Sequence, residues 1–125
     1  MRTAGVWASL ALVLAAGCKM SPAASERPNQ AAGEVLAEFI AAAEARDFER
    51  AYLLLCGALR ARYTPERLQR DFDNEPLAKE RLERARQALR QEATLRGDFA
   101  EFPVGAGKAV RLVREDGTFR VASLE

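Results

Sequence analysis

Lys108-Ala109-Val110-Arg111-Leu112-Val113-Arg114-Glu115-Asp116-Gly117-Thr118-Phe119-Arg120-Val121 decides the fold. Apolar and polar residues alternate through this stretch, the pattern of a half-buried strand. Asp116-Gly117 interrupts the alternation with a pair that supplies the positive φ angles of a two-residue hairpin turn. With the turn placed there the register follows: Glu115 faces Thr118, Leu112 faces Val121 and Val110 faces Ser123. Val110, Leu112, Phe119 and Val121 then share one face, and Arg111, Glu115 and Arg120 share the other. Turn chemistry and apolar alternation reach this answer independently, so the spacing predicts an antiparallel hairpin with one buried face.

Working back from the hairpin, Gly105-Ala106-Gly107 reads as a turn. Residues 93–103 read as one further strand, disturbed by a bulge or bend at Gly97-Asp98. Before that the period becomes helical. Leu36, Phe39, Ile40 and Ala43 form one stripe of a helix over residues 32–46. Asp47 is an N-cap for a second helix, striped by Phe48, Ala51, Tyr52 and Leu55 and widened by Leu53 and Leu54. Cys56-Gly57 reads as its stop, since glycine tolerates the left-handed conformation that ends helices. Thr64-Pro65-Glu66 starts a short helix to about Phe72 that buries Leu68 and Phe72. Asp73-Asn74-Glu75-Pro76 breaks it, and a largely charged helix runs from Leu77 to about Arg90. Its apolar side carries Leu77, Leu82, Ala85 and Leu89, and Glu80 and Arg84 form an i, i+4 pair. Helices first and strands last predict an α+β domain over residues 32–125, its N-terminal helices packed on one face of a small C-terminal antiparallel sheet.

The start of the chain carries an address. Arg2 precedes an apolar stretch, Ala4 to Gly17, too short as a helix to cross a bilayer. Leu14-Ala15-Ala16-Gly17-Cys18 ends it with small residues and a cysteine, the layout of an export signal, and it resembles the lipobox of bacterial lipoproteins. The family prefers a large aliphatic where Ala15 stands, with Leu14 one step earlier, so ordinary signal-peptidase cleavage nearby is the alternative. The resemblance implies removal of residues 1–17 and a diacylglycerol on Cys18. It also implies anchoring to lipid in the bacterial envelope, facing the periplasm. Lys19 does not match the aspartate retention signal of inner-membrane lipoproteins, which favours the outer membrane. Residues 18–31, with Ser21, Pro22, Ser25 and Pro28, have little to bury and read as a flexible tether. With Cys18 lipidated, Cys56 is the remaining thiol and its apolar neighbours predict burial; without lipidation, a Cys18–Cys56 disulfide is the alternative.

The 125 residues hold 19 basic and 18 acidic side chains and no histidine. Balanced charge gives no electrostatic case for nucleic acid. Without histidine, and with one free thiol, no metal-ligand spacing is present. Gly105-x-Gly107 lacks the remainder of a nucleotide fingerprint, so no cofactor is expected.

The run Phe39…Ala43…Arg46-Asp47-Phe48…Ala51-Tyr52…Leu54-Leu55, then Thr64-Pro65-Glu66…Leu68…Phe72, resembles the helical half of nuclear transport factor 2-like domains. The closing hairpin, with Phe119 just after its turn, is similar to theirs. The resemblance implies a cone-like sheet with helices on one face, truncated here to three strands, and a homodimer through the open sheet face. Two functions follow. One is a non-catalytic binding module for an envelope protein or a small apolar ligand. In that module Tyr52 and Tyr63 offer an apolar body with a polar tip, and Arg111 and Arg120 meet an acidic partner. The other is a small isomerase or dehydratase using an Asp/Tyr pair between sheet and helices, Asp98 or Asp71 with Tyr52. No spacing requires such a pair, so the residues favour the module over the enzyme.

Overall fold

The computed structural model describes residues 28–124; the expected signal, Cys18 and most of the tether lie outside them. The first helix, α1, spans Pro28–Glu44. It begins four residues before the periodicity predicts, with Pro28 at its first position, where a missing N–H costs nothing. Residues 28–31 therefore belong to the helix and not to the tether. Ala32, Leu36, Phe39, Ile40, Ala42 and Ala43 form its buried stripe. The helix closes as Asp47 N donates to Ala42 O at 2.8 Å and Arg46 N to Ala43 O at 3.1 Å. Arg46 holds the left-handed position of that closure at φ 61°.

Asp47 caps α2 (Phe48–Leu53) as predicted, accepting from Arg50 N at 3.3 Å. The helix ends at Leu53, two residues short of the apolar stripe. Beyond it the backbone leaves the helix to join the sheet. Val121 N donates to Leu54 O, and Cys56 N donates to Val121 O, both at 2.8 Å, so Leu55 pairs in parallel with Val121. Leu53 consequently points outward, 57% exposed, and does not widen the buried stripe. Gly57 is not a stop either. It opens a short turn of helix, α3 (Gly57–Arg60), with extended Cys56 before it. Burial of Cys56 agrees with the expectation from its neighbours.

Thr64 caps α4 (Pro65–Asn74), accepting from Arg67 N at 3.1 Å. The break then falls at residues 75–77, where Glu75 Oε1 accepts from Leu77 N at 3.2 Å. The charged helix α5 (Ala78–Ala88) buries Ala78, Leu82, Ala85 and Ala88. Leu77 stays outside its apolar side, 44% exposed. Arg84 meets Glu80 at 3.2 Å, the expected pair.

The sheet has four antiparallel strands in sequence order: β1 (Thr94–Arg96), β2 (Phe99–Gly105), β3 (Lys108–Glu115) and β4 (Thr118–Ser123). The expected bulge at Gly97-Asp98 is a hairpin turn, with Arg96 facing Phe99 across it. Gly97 stands at φ 58° in the first central position, where such turns take glycine. The sheet therefore gains a strand over the expected three. At the second turn Ala106 and Gly107 lie at φ 57° and 73°. At the third, Asp116 and Gly117 lie at 53° and 79°, with Glu115 facing Thr118 and Leu112 facing Val121. A shift between Arg111 and Leu112 then sets Arg111, not Val110, opposite Ser123. The extra residue is Ala122, directly after the point where Val121 is bonded on its other side to Leu54 and Cys56.

Ala100, Phe102, Val110, Leu112, Phe119 and Val121 make the buried face of the sheet. They pack against the α1 stripe, Phe48, Ala51, Leu68 and the small residues of α5 in one core. The molecule is an α+β domain, helices on one sheet face, as the order of elements predicts.

Candidate functional site

Pairing of residues 54–56 with the sheet edge makes the site. This strap carries the chain from α2 across the edge of β4 and into α3. Glu115, at the end of β3, locks it: both carboxylate oxygens accept from Gly57 N at 3.1 Å. Arg120 locks it from β4, donating to Leu53 O at 2.6 Å. Between the strap, α4 and the end of β4 lies a cleft of about 570 Å³.

The floor and walls of the cleft are apolar. Phe39 of α1, Leu55 of the strap, Leu59 of α3, Leu68 and Phe72 of α4 and Val121 of β4 line it. Its margin is polar, from Tyr63, Asp71, Glu75, Arg81 and Ser123. Arg81 stands 3.8 Å from Glu75. Two carboxylates and one guanidinium leave this margin slightly negative. An apolar interior with a few convergent polar groups is the usual form of a small-molecule site. A second depression lies where α1 begins, beside Phe102 and Leu89, with Asn29, Gln30, Glu34 and Glu92 around it.

The residues singled out in the sequence separate into four places. Tyr63 lines the cleft, its ring facing the Arg67 guanidinium at 5.4 Å. Tyr52 does not line it; its hydroxyl donates to Arg60 O at 3.1 Å and ties α2 to α3. Asp71 lines the cleft, whereas Asp98 sits in the β1–β2 turn with its carbonyl accepting from Arg114 N at 2.7 Å. Neither Asp98 nor Asp71 is thus set with Tyr52; the pair sharing the cleft is Asp71 and Tyr63. Arg111 and Arg120 lie together on the open sheet face, as the alternation predicts. Arg111 Nε donates to Glu101 at 3.1 Å.

Leu59, Arg81 and the strap were not legible as site residues. Leu59 and Arg81 sit in short or charged segments with no decisive stripe, and the strap depends on a contact across 67 residues between Leu53 and Arg120. Far from the cleft, Arg50 is held above its usual range by its hydrogen bond and attraction to Glu38. Among the described residues no cluster could hold a metal ion, and no helix is long and apolar enough to cross a membrane. No protein-family model, no curated protein and no solved structure matches the chain.

Proposed function

We propose that this protein is a lipid-anchored, non-catalytic binding module of the bacterial envelope, and that its cleft takes a small amphipathic molecule. The cleft is the observation that carries the reading: an apolar interior between the strap, α4 and the end of β4, with a few polar side chains in its lining. An anionic head group would meet Asp71 and Glu75 against the single Arg81, so the ligand carries a neutral or cationic head on an apolar body. The anchor rests on the lipobox-like run ending at Cys18. The helices-then-sheet order supports a relation to nuclear transport factor 2-like domains.

Two experiments test the two halves. Replacing Cys18→Ala releases the protein from membranes; an unchanged membrane fraction overturns the anchor. For the cleft, cyclohexanol, cyclohexylamine and cyclohexanecarboxylate offer one apolar ring with three head groups. In methyl spectra of the chain, the first two shift Leu55, Leu59, Leu68 and Val121, and the carboxylate does so more weakly. Shifts spread over the whole surface, or none, overturn the cleft.

A second reading, an isomerase or dehydratase, is favoured by one observation: Asp71 and Tyr63 line the same cleft. It requires α-carbon deuterium exchange into cyclohexanone that disappears in Asp71→Asn. Exchange no faster than buffer excludes it.

A further inference from the structure

The open face of the sheet is a second site, separate from the cleft. Strand register sets one row across all four strands: Arg96 on β1, Phe99 on β2, Val113 on β3 and Arg120 on β4. The next row carries Thr94, Glu101, Arg111 and Ser123. Three guanidiniums therefore surround an apolar centre, Phe99 and Val113. The carboxylate these two rows bring against them, Glu101, is shared: Arg111 Nε reaches it at 3.1 Å and Arg96 Nε at 3.5 Å. Glu101 is consequently enclosed, its side chain 18% exposed, while those of Arg96 and Arg111 remain 73% and 51% exposed.

We propose that this face docks an acidic polypeptide segment, lying extended across the strands. Charge selects the partner. A second copy of this face would bring three guanidiniums against three, with each Glu101 already engaged, so self-pairing is disfavoured. Phe99 lies under the Arg111 guanidinium, 5.5 Å from its ring centre. Phe99 is 39% exposed, and one ring rimmed by guanidiniums is a small apolar area for insertion among acyl chains. An apolar centre with an arginine rim is the composition of a protein-binding patch.

Geometry sets the motif. Arg96 and Arg120 are separated by the width of three strand spacings, about 14 Å. Four residues of an extended segment span about 13 Å, and alternate side chains point to one side. The matching pattern is acidic–x–apolar–x–acidic: its two carboxylates reach Arg96 and the guanidinium nitrogens that Arg120 does not give to Leu53 O, and its apolar residue sits over Phe99 and Val113.

The probe is a synthetic peptide, Glu-Ser-Leu-Ser-Glu-Ser-Leu-Ser-Glu, added to isotope-labelled full chain in zwitterionic nanodiscs. The amides of Phe99, Val113 and Arg120 shift. The affinity falls about tenfold in an Arg96→Gln/Arg111→Gln double variant, whose fold is checked by its thermal melt. A peptide with Gln in place of Glu leaves the same amides unmoved. Four results overturn the proposal: no shifts at millimolar acidic peptide; shifts located at the cleft instead; the same shifts with phosphatidylglycerol vesicles but not with the peptide; or sedimentation showing a dimer that buries this face. Because the cyclohexanol titration reads different residues, failure here leaves the cleft reading standing, and the reverse.

Discussion

Replacing Glu115→Ala removes the lock between the sheet and the strap, and its cost can be worked from the geometry. The carboxylate accepts from Gly57 N with both oxygens at 3.1 Å, in a part-buried setting. A hydrogen bond to a charged group contributes about 1.5–3 kcal/mol, and partial exposure places this one near the lower end, at about 1.5 kcal/mol. For a domain of about 100 residues each kcal/mol moves Tm by about 4–8 °C, so the variant melts about 6–12 °C lower. Glu115→Gln keeps one acceptor oxygen without the charge and recovers about half of that loss. Circular dichroism melts measure both variants. Amide hydrogen exchange adds a local reading: the Gly57 amide loses protection, while the Cys56 amide, bonded to Val121 O, keeps more of its own. An alanine variant melting within about 2 °C of the parent, with Gly57 still protected, refutes the reasoning.

Other substitutions test neighbouring claims. Gly57→Ala stabilises by about 0.5–1 kcal/mol in denaturant titration, because Gly57 is helical and an added methyl meets Glu115 Oε2 at 3.7 Å without a clash; destabilisation would restore the helix-stop reading. Ala106→Asn raises Tm, since Ala106 bears a left-handed φ of 57° in a turn that favours Asn-Gly, with a gain of about 0.5–1 kcal/mol. Phe102→Ala costs about 3–5 kcal/mol in urea unfolding, because the ring is 2% exposed between the sheet and α1. A domain of ordinary stability, about 5–15 kcal/mol, then sits close to unfolding.

Much of this fold is legible wherever local chemistry alone determines the backbone. Asp116-Gly117 fixes its hairpin, Asp47 and Thr64 cap their helices, and the α1 stripe places its own buried face. What is not legible comes from competition between local and long-range pairing. Leu53 and Leu54 carry helical periodicity, yet Val121 offers an unpaired strand edge. Satisfying that edge removes the backbone from the helix and turns Leu53 outward. Gly97-Asp98 lies within a run whose alternation continues on both sides, so periodicity does not distinguish a bulge from a two-residue turn. Site residues follow the same division. Tyr63 and Asp71 were nameable as candidates from their chemistry, but their shared cleft exists because the strap crosses β4. Arg111 and Arg120 were placed on one face by alternation alone, whereas Arg96 joins them only because the turn at Gly97-Asp98 makes β1 a separate strand.

Native mass spectrometry of the protein released from its own membranes tests the central claim most directly. The account predicts a chain beginning at an acylated Cys18 that carries one small neutral or cationic molecule, with that adduct lost in Leu59→Arg, which sets a positive charge in the apolar wall of the cleft. A mass that retains Met1, or an adduct that persists unchanged in the Leu59→Arg protein, contradicts it.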